Sequence, residues 1–244
     1  ITLGEQTYPA QSWAVLMAQP YAGLAQELLS VQKFPDALLN GEGNPARVPY
    51  DVTGWTLPVQ MGITVDRIDQ APEEELRTAL RSVSTADFES GRIHGEGPVF
   101  ALSRKTNASF RVMNEVLSRG GSAALASGEI ETANGTEPGA IIVSGVERGA
   151  LQKILEDNRI DASALGKAPE AAGLDLARVG IYRPWGANQY DAGWTRWVLE
   201  DYGFSPGDVY NRDVRKGDIG ARYDTLVIPD LAASRPMRKA DQEA

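Results

Sequence analysis

Apolar and polar positions alternate most regularly from residue 97 onward. PVFALS, SAALAS and AIIVS are apolar runs of strand length, and they are separated by segments with helical spacing. SFRVMNEVLSRG sets Phe110, Met113, Val116 and Leu117 on one helical face, with Asn107 as the predicted cap and Gly120 as the stop. ERGALQKILEDN does the same with Leu151, Ile154 and Leu155. Between the second and third runs, the polar stretch GEIETANGTEPG carries Asn134-Gly135, a hairpin signal. The pattern predicts a strand-helix-strand-strand-helix unit over residues 97–165, which closes as a small α/β layer on its own or joins a later sheet.

A second patterned stretch runs from Arg178 to Asp230. An apolar run at Val179–Tyr182 is followed by the turn-rich loop RPWGANQYD, an aromatic-studded helical segment, Gly203, and a final apolar run at residues 225–228. That is the order of a strand, a crossover helix and a parallel strand. Asp191 is the predicted N-cap of the helix, Trp194, Trp197, Val198 and Tyr202 its buried stripe, and Gly203 its left-handed stop. Two parallel strands need neighbours and cover, so this doubly wound unit reads as truncated. The connector GKAPEAAGLD has no apolar period, which places a boundary at residues 168–174.

Residues 1–90 are less regular. After Pro20, Leu24, Leu28 and Val31 have helical spacing, and Pro72 with its following glutamates marks a second helix start. In PYDVTGWTLPVQMG, Asp51 or Thr53 would cap a short helix limited by Pro58, with Trp55 and Met61 expected in the core. The predicted organisation is therefore a helical and loop segment at 1–90, a small α/β unit at 91–168, and the start of a doubly wound unit at 175–244.

Composition removes several function classes. The formal net charge is -9, which disfavours a nucleic-acid partner because phosphate binding needs clustered Lys and Arg. No apolar run approaches the roughly 20 residues of a membrane span, and the chain reads as soluble. With no Cys and a single His, His94, neither a thiolate nucleophile nor an ordinary zinc set can be assembled. His94 sits in GRIHGEGP with no GxSxG elbow to serve, so a loop histidine is the expectation. Gly95 and Gly97 there read as turn residues.

Loops at the carboxyl ends of parallel strands are where open α/β sheets hold ligands. That makes Arg183, Trp185, Asn188 and Asp191 the candidate ligand loop, with Arg183 for a carboxylate and Trp185 as an apolar wall. The structural alternative is that Trp185 packs under its own loop and Asp191 caps the helix. A hydrolase built on carboxylates such as Asp191, Asp201 and Asp224 is a further reading, but no spacing fixes two of them at a working separation.

Three strings, QPYAGLAQELLSVQKFPD, PYDVTGWTLPVQMG and RVGIYRPWGANQYDAGWTRWVLEDYGF, resemble the non-catalytic C-terminal part of large bacterial zinc carboxypeptidase-like proteins, of the carboxypeptidase A family. In that family a peptidase domain is followed by a region similar to class I glutamine amidotransferases, of flavodoxin-like fold. The resemblance covers residues 19–230, and it is specific in the second and third strings and diffuse over residues 72–165.

The resemblance implies a truncated flavodoxin-like parallel sheet with flanking helices, preceded by a smaller α/β unit and an irregular helical N-terminal segment. It implies an accessory region with no cofactor in this stretch, zinc being expected in the parent peptidase domain. That domain is the expected partner, peptide the expected substrate, and the location periplasmic or extracellular. Neither an HxxE zinc pair nor a nucleophilic Cys is present, so no catalytic residue of either parent chemistry carries over. The alternative expectation is a ligand- or peptide-binding module of amidotransferase-like fold without the nucleophile.

Overall fold

The computed structural model describes residues 2–3, 6–8, 12–33, 35–37, 56–84, 91–184, 186 and 188–230. The chain divides into two compact units, Ile1–Asp87 and Phe88–Ala244.

In the first unit, β1 (Thr2–Leu3) pairs antiparallel with β2 (Gln6–Thr7), and the described residues further along include the short helices α1 (Ala22–Leu29), α2 (Leu57–Gln60) and α3 (Glu74–Ala79). Pro58 sits in the first turn of α2, where its missing N–H costs no helical bond, and it is the one buried residue among those described here. The predicted stripe of Leu24, Leu28 and Val31 is exposed, as is Met61, which corrects its expected place in the core. Asp51, Thr53 and Trp55 lie outside the described residues.

The second unit is built on a six-stranded sheet in the order β10-β5-β8-β4-β9-β3. Its strands are β3 (Ile93–His94), β4 (Val99–Leu102), β5 (Ser122–Ala126), β8 (Ile141–Ser144), β9 (Ala162–Leu165) and β10 (Ala171–Leu174). All neighbours are antiparallel except β3 and β9, so the largest sheet is mixed. Of the expected architecture, what stands is an α/β fold with a mixed multi-strand sheet and flanking helices. The stretch β4-α4-β5-β8-α5-β9, with α4 at Asn107–Ser118 and α5 at Arg148–Asn158, has the split β-α-β connectivity of ferredoxin-like sheets.

Period-two alternation gives this sheet two cores. Phe100, Leu102, Ile141 and Val143 face α4 and α5, where they meet Val112, Met113, Val116, Leu151, Ile154 and Leu155. Burial of each such aliphatic side chain is worth about 1.5–3 kcal/mol. Val99, Ala101, Ala126, Ala140 and Ile142 face the other way. There the small side chains let the hairpin of β6 (Glu129–Thr132) and β7 (Gly135–Pro138) lie close, with Ile130 packed in. The predicted hairpin is present, but of Asn134-Gly135 only Gly135 takes a positive φ, +98°, so the turn is not the mirror-image type that Asn-Gly favours.

Local details refine the helix ends. Thr106, not Asn107, occupies the N-cap position of α4, and Asn107 is its first helical residue. The side chain of Glu147 caps α5 by accepting from the backbone N–H of Ala150 at 2.8 Å. The glycine-rich string ahead of β4 has a packing cause: a Cβ on Gly91 would overlap the carbonyl oxygens of Leu155 and Ile160, and one on Gly97 that of Leu165. The connector read as a boundary contains β10, which pairs with β5 along Ala171–Leu174.

A separate three-stranded parallel sheet, in the order β12-β11-β13, ends the described chain. It comprises β11 (Val179–Tyr182), β12 (Gly207–Val209) and β13 (Thr225–Val227). The helix α6 (Gln189–Asp201) connects β11 to β12, and the short helices α7 (Asn211–Lys216) and α8 (Ile219–Arg222) connect β12 to β13. The predicted parallel pair is therefore present with an additional strand between its members in the sequence. The small sheet is held to the split unit by Arg111 of α4, which pairs with Asp201 and stacks over the Tyr202 ring, and by Asn114, whose amide donates to the Tyr202 carbonyl at 2.8 Å.

Candidate functional site at the strand ends

The carboxyl ends of β11, β12 and β13 collect the residues that the sequence singles out, because parallel strands deliver their following loops to one edge. Gly180 is required in the middle strand: a Cβ there would stand 2.9 Å from the side chain of Val209 and about as close to the Tyr223 ring. Tyr182, at the end of β11, donates its hydroxyl to Asn211 Oδ1 at 2.8 Å. The backbone N–H of Arg183 donates to the Val209 carbonyl at 2.8 Å, extending the pairing of β11 with β12 by one bond.

The guanidinium of Arg183 is already occupied. It donates to Gln189 Oε1 at 2.7 Å and lies 3.5 Å from Asp208 Oδ2. The same Asp208 carboxylate accepts from Arg196 Nη2 at 2.6 Å and from the Tyr210 hydroxyl at 3.3 Å. Arg196 in turn donates to Glu200 at 3.3 Å and to the Pro206 carbonyl at 2.8 Å. Two guanidinium groups face two carboxylates, so the cluster is electrically balanced and leaves little attraction for an anionic ligand.

Asn188 and Asp191 serve the backbone. The Asn188 side-chain oxygen accepts from the N–H groups of Tyr190, at 3.0 Å, and Asp191, at 3.4 Å, which makes Asn188 the N-cap of α6. The expectation that Asp191 is the cap is thereby corrected. Asp191 lies in the first helical turn, where a negative charge suits the helix dipole. Its carboxylate accepts from the backbone N–H of Asp230 at 2.5 Å, while the Asn188 N–H donates to the Asp230 carbonyl at 3.0 Å. The loop after β13 is thus gripped by donor and acceptor together. Trp185 lies outside the described residues.

The carboxylates considered for hydrolysis do not converge. Asp191 is at the carboxyl edge of the parallel strands, whereas Asp224 is at the amino edge, bound by the Arg178 guanidinium at 2.7 and 3.1 Å and by the Arg178 N–H at 2.8 Å. That guanidinium, followed by the backbone N–H, holds the Asp224 carboxyl at a pKa of about 2. Asp201 is the partner of Arg111. Asp213 is nearly buried and held below the ordinary carboxylate range by the Tyr210 N–H first and Arg222 second. His94 Nε2–H donates to Asp161 Oδ2 at 2.7 Å, at the edge of the mixed sheet.

The burial of α6 reverses the predicted orientation. Ala192 is its one buried residue, at 4% exposure, with Thr195, Arg196 and Leu199 half-buried on the same side. Trp194, Trp197 and Val198, expected inside, stand in solvent, and Tyr190 joins them. Arg196, Asp208, Tyr210 and Asp230 are site residues the sequence did not flag. The only signal for Asp208 was the short GDV run after Pro206, too brief to read as a strand.

Among the described residues no group of three His, Cys, Asp or Glu side chains is placed to hold a metal ion, and no helix is long and apolar enough to cross a membrane. Comparison with protein-family models, curated proteins and solved structures yields no significant match to this chain.

Proposed function

We propose that this chain is a non-catalytic accessory region of a zinc carboxypeptidase-like metallopeptidase, whose peptidase domain carries the metal and removes C-terminal residues from peptides. The observation that carries this reading is the closure of the strand-end loops. Arg183 is spent on Asp208 and Gln189, Asn188 on the α6 cap, and Asp191 on the Asp230 backbone. A site that consumes its own polar groups holds loops together. The resemblance of three strings to that family supports the identity of the partner, and the parallel order β12-β11-β13 fits the opening of a flavodoxin-like region. A periplasmic or extracellular location follows from the same resemblance.

The test is made on the native polypeptide and on the isolated chain. Mass spectrometry of material captured through this region is expected to yield an upstream peptide bearing an HxxE zinc motif. The purified chain with added zinc is expected to leave C-terminal residues untouched. Stoichiometric zinc binding with C-terminal trimming by the isolated chain would overturn the proposal.

A further inference from the structure

The outward face of α6 carries an apolar stripe from Tyr190 to Val198. Tyr190 is 84% exposed, Trp194 66%, Trp197 58% and Val198 46%. These positions, at i, i+4, i+7 and i+8, form one stripe on the helix. The Trp194 and Trp197 rings meet edge to face with centroids 5.7 Å apart, a favourable aromatic arrangement. Beside them runs an open groove lined by Gln189, Tyr190, Gly193, Trp194 and Trp197.

Gly193 is the unusual member. It sits in a helix interior, where Gly is less stable than Ala, and a Cβ built there meets nothing within 4 Å. Among the described residues no contact accounts for it. Together Tyr190, Gly193, Trp194 and Trp197 have the i, i+3, i+4, i+7 spacing of the four residues that bound a hole for a knob from a facing helix.

We infer that α6 is the interface of a twofold homodimer in which the stripe of one chain packs on the stripe of another, crossing at Gly193. Knobs and hole lie on the same surface, which is what an isologous contact requires. A ring such as Trp197 of each chain fills the depression at Gly193 of its mate. The area fits: at these exposures the four side chains offer roughly 500 Å² of apolar surface, most of the ~800 Å² per partner of a standard interface. Flanking positions supply the remainder. The exposed charges at the end of the stripe, Glu200 and Asp201, are paired within their own chain with Arg196 and Arg111, so the rim opposes close approach little. The remaining opposition is the net charge of -9 on each copy, which salt screens.

The experiment is sedimentation velocity on the full 244-residue chain, loaded from about 1 to about 100 µM and run at about 0.1 M and about 1 M salt. The expected result is a concentration-dependent shift from monomer to dimer that strengthens with salt. Trp194→Ala and Trp197→Ala each weaken association by roughly tenfold or more. Gly193→Ala weakens it too, while raising the melting temperature of the dilute monomer, a combination that a purely local glycine would not give. All three positions are exposed, and circular dichroism of each variant checks that the fold is retained. A chain that stays monomeric throughout, a dimer untouched by these substitutions, or one that dissociates with salt would each overturn the inference. None of these outcomes bears on the accessory-region reading, whose own test is zinc-dependent trimming.

Discussion

The Glu137 carboxylate, only 2% exposed on β7, accepts from the Ser103 hydroxyl at 2.9 Å and from the Arg104 backbone N–H at 2.6 Å, so the hairpin grips the turn between β4 and α4. A buried charge is tolerated here because donors surround it, Lys105 Nζ standing 3.8 Å away as well. Replacing Glu137 by Gln turns one acceptor edge into a donor facing donors. Glu137→Gln is expected to cost about 1–3 kcal/mol, against less than about 0.5 kcal/mol for Glu129→Gln on the exposed side of the hairpin. Urea midpoints of the two variants measure the difference.

At the strand ends, Asn188→Ala removes the α6 cap and is expected to destabilise by about 1 kcal/mol. Asp191→Ala leaves the cap in place but frees the Asp230 amide. Hydrogen exchange read at that amide should accelerate in Asp191→Ala and change little in a Gln189→Ala control; protection that survives both substitutions would mean the Asp191 contact does not hold the loop.

The Arg178–Asp224 pair predicts an acid limb. Because the folded carboxyl titrates at about 2, below its ordinary range, its contribution is present in full above about pH 4 and is lost as the pH falls through the folded value. Asp224→Asn lacks this limb. The gap in denaturation midpoint between the two proteins should therefore be constant at neutral pH and close on the way to pH 2. A gap that persists unchanged at the acid end would exclude the pairing as its source.

Outward placement of the aromatic stripe predicts a contrast in dilute solution. Trp194→Ala and Trp197→Ala should alter monomer stability by no more than about 0.5 kcal/mol, whereas Ile154→Ala in the α5 core should cost about 2–5 kcal/mol. Equal losses at both places would put the tryptophans inside.

Legibility in the sequence follows how many independent signals each element carries. The helices α4 and α5 were readable because their apolar residues face a sheet wide enough to cover them, so period and burial agree at Leu151, Ile154 and Leu155. β10 was not, since AAGL has small side chains and lies at a sheet edge, where β-propensity is weak evidence. For α6 the largest side chains pointed to the wrong face. The helix rests on a three-stranded sheet through Ala192, and the bulky stripe is left outside. Asn188 and Asp191 both have cap chemistry within one turn, and only the contact with Asp230, some forty residues onward, assigns their roles. Arg183 was correctly placed at a strand end, but its partner Asp208 is on a strand of three residues that the pattern did not reveal.

The strand order of the split unit has a consequence for how the chain comes apart. β8 lies between β4 and β5, and β4 lies between β8 and β9, so each half of the unit leaves a slot one strand wide that the other half fills. Neither half owns a continuous sheet. A protease nicking the exposed turn at Ala133 and Asn134 would sever the backbone without separating the pieces, because interdigitated strands still clasp one another on both sides. The two halves are therefore expected to unfold in a single cooperative transition.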